Sequence, residues 1–293
     1  MAIKKSMGER VFSVCNVLIL LLLSVVTLYP FLHVIFSSFS DPAEYLKHTG
    51  LILHPLGFSL DAYKAVFEKP EIWTGYANTL FYVGVGTCVN MILTVSLAFT
   101  LSREHLYWNK ILMKLIIFTM YFNGGLIPTY LLVQNMGMVD TRWAMIFPSA
   151  IVTFNLIVMI NGFKAVPVSL EEAAKIDGAS PMVIMARIIL PLSMPTVAVI
   201  ILYYGVQRWN EWFPAMVYLR SDKNFPLQLV LRQILIENQQ GDMVQQTQSA
   251  DKLALAETIK HATIIVSTIP ILILYPFLQK YFTQGVMIGA VKG

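Results

Sequence analysis

The sequence is short of charge. Only 13% of its 293 residues are Asp, Glu, Lys or Arg, against roughly 25% in an ordinary soluble domain. Hydrophobic residues make up 56%. That balance points to a polytopic membrane protein. Cysteine is scarce too. Cys15 and Cys88 both lie in apolar runs, and no pair spacing suggests a metal site or a disulfide framework. They read as small residues facing lipid or another helix. The net charge of +4 is spread over the loops. Without a dense Lys/Arg tract and interleaved aromatics it is no nucleic-acid footprint. There is no Gly-x-x-x-x-Gly-Lys-Ser/Thr phosphate loop, so the chain is not expected to hydrolyse ATP itself. His-Glu-x-x-His, paired intramembrane aspartates and a Ser-His-Asp set are all missing. No catalytic residue and no metal ligand is therefore expected. Internal repeats and low-complexity tracts are absent as well.

What is present is a series of long apolar runs. A membrane span needs about 20 mostly apolar residues. Six segments qualify: Val11–Phe36, Ala77–Leu101, Ile111–Val133, Trp143–Gly162, Pro195–Leu219 and Ala262–Phe282. Lys4, Lys5 and Arg10 ahead of the first run resemble the start of a signal peptide. The run is too long for that, and no small-x-small cleavage site follows directly. It reads as an uncleaved first span. Those three bases precede the first span and none falls within ten residues after it. Charge near span ends sets orientation, which puts both termini in the cytoplasm. The expected fold is all-α: a six-span helix bundle forming one transmembrane domain over residues 1–293. Two outer loops, 37–76 and 220–261, each of about 40 residues, exceed an ordinary connection. In the second, Phe225–Ile236 is apolar enough to lie on a membrane surface or a partner. Glu237–Lys252 is polar and reads as irregular and solvated.

The cytoplasmic loop, residues 163–194, holds the most specific pattern. It runs Val168-Ser-Leu-Glu-Glu-Ala-Ala-Lys-Ile-Asp-Gly-Ala-Ser-Pro181 and continues to Arg187-Ile-Ile-Leu-Pro191. Ser169-x-x-Glu172 has the spacing of a capping box. Leu170–Asp177 makes about two helical turns, and Gly178 fits a left-handed stop. Ser180-Pro181 starts a second helix, expected to run until Pro191 interrupts it. Taken singly, these residues could be no more than a cap, a stop and a rigid connector. Together they make a short, capped knob suited to an external socket.

The pattern Glu172-Ala-Ala…Gly178…Ile188-x-Leu190-Pro191 resembles the EAA loop of permease subunits of ABC importers, which makes the expected bundle a type I importer fold. Other pieces are similar to the carbohydrate branch, the class of the smaller maltose permease subunit. They are Phe58-Ser-Leu-Asp-Ala-Tyr63, Asn78-Thr-Leu80, Ile127-Pro-Thr-Tyr130, Met136-Gly-Met-Val-Asp140, Trp209-Asn-Glu-Trp212 and the tail Gly285…Gly289-Ala-Val-Lys-Gly293. The tail and outer loops look most like permeases for complex oligosaccharides, including lipo-oligosaccharide and alginate types. The resemblance implies that Glu171, Glu172, Ala173, Ala174, Asp177, Gly178, Ile188, Leu190 and Pro191 couple the chain to an ATPase. It implies that Gly289, Lys292 and Gly293 reach between ATPases, and that the second outer loop meets a solute-binding protein. The partners would be a second, related permease, two ATPases carrying ATP and magnesium, the binding protein and membrane lipid. This chain itself would bind no cofactor.

Polar groups within a span suggest function. Gln207, Arg208, Trp209, Asn210, Glu211 and Trp212 cluster in the fifth span. Aromatics stack on sugar faces, amides and charges bond hydroxyls, and Arg208 would suit an acidic sugar. The plainer account is an inter-helix clamp with Arg208 and Glu211 paired one turn apart, and it is the favoured one. Asn123-Gly-Gly125 with Pro128 reads as close helix packing and a kink, or as a gate hinge beside the pathway. An ion-coupled secondary transporter would need ionisable relays in several spans, and here the charges concentrate in one. A membrane enzyme would need a catalytic set near one interface, and none stands out. An ABC permease for another solute class remains the nearer rival.

Overall fold

A computed structural model describes residues 6–103, 107–244 and 255–273. Among them every named element is a helix. Three helices are long and apolar enough to cross a membrane unaided: α1 (Met7–Ser38), α4 (Pro70–Ser102) and the helix Leu255–Ile273. Three bent pairs raise the number to six if each counts as one span. The described chain forms two compact units.

The first unit comprises Met1–Lys69 with Leu231–Ile269. Ser6 and Glu9 cap α1 reciprocally, with Glu9 N–H donating to Ser6 Oγ at 3.2 Å and Ser6 N–H to Glu9 Oε2 at 2.8 Å. Beyond that cap α1 is apolar on all sides, and its most apolar window is uncovered by the described chain, the composition of a helix facing lipid or other helices. Its far end is pinned by hydroxyls. Ser38 Oγ lies 2.8 Å from Tyr63 Oη, and Ser40 Oγ takes the Leu56 N–H at 3.0 Å. Two short helices follow, α2 (Pro42–Lys47), capped by Asp41, and α3 (Asp61–Phe67).

The second unit is built on Pro70–Val230. After α4 come α5 (Asn109–Tyr121), α6 (Leu126–Asn135), α7 (Trp143–Ile146), α8 (Thr153–Lys164), α9 (Val168–Ile176), α10 (Pro181–Leu192), α11 (Met194–Trp209) and α12 (Phe213–Tyr218). Val95, Ala98 and Leu101 of α4 pack with Leu156, Met159, Ile160 and Phe163 of α8 and with Ile200 and Tyr204 of α11. Small Ala98, fully buried, lets the helices approach closely.

Three expected spans are broken rather than continuous. The third splits at Phe122–Gly125, and α5 and α6 diverge by 113°. Gly125 has φ +88° and takes its N–H to Asn123 Oδ1 at 2.9 Å. The sequence there makes a turn, so Asn123 and its glycines are not a close-packed kink: a Cβ on Gly125 would meet nothing within 4 Å. The fourth segment breaks between α7 and α8, and the fifth between α11 and α12. Irregular backbone at membrane depth is tolerated only where it is buried in protein or lines a cavity.

The helix after α12, α13 (Leu227–Val244), also corrects an expectation. The polar stretch from Glu237 begins as helix, because Glu and Gln are good helix formers and no proline intervenes. The end of the sixth run, to Phe282, lies outside the described residues, as does the tail with Gly289, Lys292 and Gly293. Cys15 and Cys88 are free and exposed.

Candidate functional site

Two features stand out, a capped pair of helices and a buried polar clamp. In the first, α9 begins two residues earlier than the capping-box reading requires. Its N-cap is Pro167, with no side-chain cap bond. Ser169 therefore sits inside the first turn, and the Ser169–Glu172 box does not form. Proline supplies the entry instead, its fixed φ already suited to a helix start. The other end follows expectation. Gly178 has φ +79°, its N–H bonds Lys175 O at 3.1 Å, and Ala179 N–H bonds Ala174 O at 2.9 Å. That pair of bonds is a Schellman stop, which a residue with a Cβ would strain.

Ser180 then caps α10, accepting the Val183 N–H at 3.4 Å, with Pro181 at the first position. Pro191 does not end this helix. A π turn over Met185–Ile189 widens the ladder just before it, which relieves the clash of the proline ring with the preceding turn. The break falls at Ser193, and α11 departs at 86°. Ile188 and Leu190 pack on the core, as do Ala174 and Ala179.

The faces of α9 separate the expected coupling residues. Glu172, Ala173, Asp177 and Gly178 are exposed, and so is Pro191. Ile176 is 87% exposed. It is a bare isoleucine one turn after Glu172, and Met182 on α10 is exposed as well, at 67%. Sequence reasoning passed over Ile176; its signal was the i,i+4 spacing from Glu172. Glu171 turns the other way and is only 5% exposed. One carboxylate oxygen pairs with Arg103 at the end of α4, and the other with Lys175 Nζ at 2.9 Å. Arg103 also went unremarked in the sequence. Nothing near it in the chain signals a partner 68 residues away.

The second feature is Arg208, 1% exposed. The break after α7 leaves carbonyls without helical continuation, and Arg208 collects them. Nη1 donates to Met145 O, to Ser149 Oγ at 3.0 Å and to Glu211 Oε2 at 2.9 Å. Nη2 donates to Asn90 Oδ1 at 3.1 Å, Ile146 O at 3.1 Å and Ser149 O at 3.4 Å. Asn90 Nδ2 adds a bond to Ser149 O at 3.2 Å, and Tyr204 Oη takes the Val152 N–H at 3.1 Å. The fork of five guanidinium N–H groups suits such multiple capping. The members of the Gln207–Trp212 cluster differ in burial. Arg208, Glu211 and Trp209 are turned inward, while Gln207 and Asn210 are exposed and Trp212 is half-buried. Asn210 Nδ2 is spent on Val206 O at 2.9 Å. The clamp reading fits Arg208 and Glu211.

A third knot ties the turn before α7 to the chain after α12. Asp140, at φ +61°, accepts the N–H groups of Arg220 and Ser221 on Oδ1, each at 2.9 Å. These bonds hold its carboxyl below the usual aspartate range. Asn78 Nδ2 donates to Lys223 O at 2.8 Å and Phe225 O at 3.0 Å, while its Oδ1 accepts from Arg142 at 3.0 Å. Among the described residues no group of His, Cys, Asp and Glu is placed to hold a metal ion.

The family model described as the binding-protein-dependent transport system inner membrane component matches residues 72–288. The chain belongs to that family. It is a permease subunit of an ABC importer, a transport component and not an enzyme. It is 43% identical to Protein LplC of Bacillus subtilis strain 168, over 97% of this chain and 96% of that protein. It is 42% identical to the same organism's polygalacturonan/rhamnogalacturonan transport system permease protein YtcP, over 98% of this chain and 100% of that protein. Among solved structures, a bacterial ABC transporter involved in import of the acidic polysaccharide alginate aligns at a TM-score of 0.86 with 32% identity, covering 95% of this chain and 99% of that one. Membership places the chain in the inner membrane. It implies a solute-binding protein, ATPase subunits and a second permease as partners. No cofactor of its own belongs to the family.

Proposed function

We propose that this permease forms half of a translocation pathway for an acidic oligosaccharide. The chain would act as one transmembrane domain with both termini in the cytoplasm. A related but different permease supplies the other half, and a binding protein delivers the substrate. Two ATPases, binding ATP and magnesium, dock the α9–α10 knob. The knob carries this reading: two short helices joined by the Gly178 stop and the Ser180 cap, presenting Glu172, Ala173, Asp177, Gly178 and bare Ile176 outward. ATP binding closes the ATPases, and the docked helices move with them. The ATPases must favour one arrangement of the permease pair, since only differential interaction shifts an equilibrium. The acidic class is supported by the names of two relatives, one tied to polygalacturonan and one to alginate.

The test is reconstitution of the transporter in proteoliposomes. Oligogalacturonides should compete for uptake and neutral maltodextrins should not. Replacing Gly178 by Trp should abolish coupled transport. Full coupling in that variant would sink the docking role, and equal competition by the neutral sugars would sink the acidic class.

A further inference from the structure

We infer that Glu171 is a positioning residue rather than an ATPase contact: with Arg103 it forms an internal strut that makes α9 and the end of α4 one rigid body. This rests on the coupling role proposed above. Both of its carboxylate oxygens are already engaged, by Arg103 and by Lys175, and the residue is 5% exposed. Its carboxylate is turned into the chain and away from the exposed face of α9.

The need for a strut follows from how α9 is attached. One end joins α8 through a 69° bend at residues 165–167. The other turns at Gly178 into α10. Besides those bends, the small side chain of Ala174 packs on the core, a contact without direction that resists tilting of α9 less than an ion pair does. Arg103 supplies a directed attachment from a different helix. It sits at the C-cap of α4, where a cation is favoured by the helix dipole, and lies 5.0 Å over the Phe99 ring. Asn109, at the start of α5, donates to Leu101 O at 3.0 Å and Arg103 O at 3.1 Å. The strut therefore carries movement of α9 into α4, α5 and α8 together. Among the described residues Arg103 Nε and Nη2 are buried without a partner, and Glu171 is the carboxylate paired with this guanidinium. Removing one partner of a buried pair leaves an uncompensated charge.

The experiment uses the assembled transporter with Cys15 and Cys88 replaced by Ser, and oligogalacturonide, or maltodextrin if that is what is carried. The double variant Arg103→Cys/Glu171→Cys should keep its ATPases bound on purification. ATP hydrolysed per sugar imported should rise severalfold, because α9 then tilts without moving α4. Joining the two thiols with a short bis-maleimide should restore the wild-type ratio. An unchanged ratio before linking, or no recovery after it, would overturn the strut. Gly178→Trp in the same assay separates the two ideas. If it uncouples while the cysteine pair does not, only the strut fails; if Gly178→Trp also stays coupled, the docking role fails with it.

Discussion

Replacing Arg208 by Met keeps most of the side chain's length and removes its charge and all its donors. The guanidinium makes six hydrogen bonds, to Met145 O, Ser149 Oγ, Glu211, Asn90, Ile146 O and Ser149 O. Leaving a buried acceptor unpaired costs about 1–3 kcal/mol, and stripping one partner from a buried ion pair about 3–5 kcal/mol. Measured bonds between membrane helices are weaker, averaging about 0.6 kcal/mol. Six acceptors share four Nη hydrogens, so on that lower scale the bonds come to about 2 kcal/mol, still a sizeable part of a typical total stability of about 5–15 kcal/mol. The variant should lose its monodisperse peak in detergent well below the wild-type temperature. Adding Glu211→Leu should recover much of the loss, because the bare carboxylate is then gone. Arg208→Lys should recover little, since a point charge cannot span carbonyls on both sides of the α7 break. Unchanged thermal stability of Arg208→Met together with lost transport would refute the clamp and make Arg208 a substrate ligand.

The crossing of α8 and α11 makes a second prediction. A Cβ on Gly162 would stand 2.6 Å from Thr196 Oγ1 and 2.8 Å from its Cβ. Gly162→Ala should therefore destabilise by about 1–3 kcal/mol in an unfolding titration, with partial rescue by Thr196→Gly; a neutral effect would mean that these helices part easily. A third concerns acid. Asp140 has its folded pKa lowered from 3.8, first by the Arg220 N–H and then by that of Ser221. Its contribution is fully present above the ordinary value and is lost as pH falls through the lower, folded one. Hydrogen exchange at Arg220 and Ser221 should stay slow at neutral pH in wild type and quicken in Asp140→Ala; equal protection in the two proteins would show that the carboxylate does not hold this turn.

Much of the molecule could be read from the chain. Apolar runs long enough to span a bilayer, the Gly178 stop and the Ser180-Pro181 start are all local signals, and each recurs in the structure. The failures are also physical. A run of apolar residues from Ile111 to Val133 looks continuous, because hydropathy does not register a Gly at φ +88°. Ser169 and Glu172 have capping-box spacing, yet Pro167 starts the helix two residues too early for it. The Gln207–Trp212 cluster is adjacent in sequence, but the helix turns Gln207 away from Arg208 and ends at Trp209, leaving Asn210–Trp212 in the break before α12.

Sequence by itself determined that this chain lives in a membrane, is helical, and carries the knob of an importer permease, because span length, helix caps and the Glu-Ala-Ala spacing are written in neighbouring residues. Only tertiary structure decided what the charged groups do. Glu171 faces Arg103 across 68 residues, and Arg208 reaches carbonyls 62 and 63 residues back. Such partners are chosen by how the broken helices pack, since a buried charge must find its counterpart wherever the fold brings one.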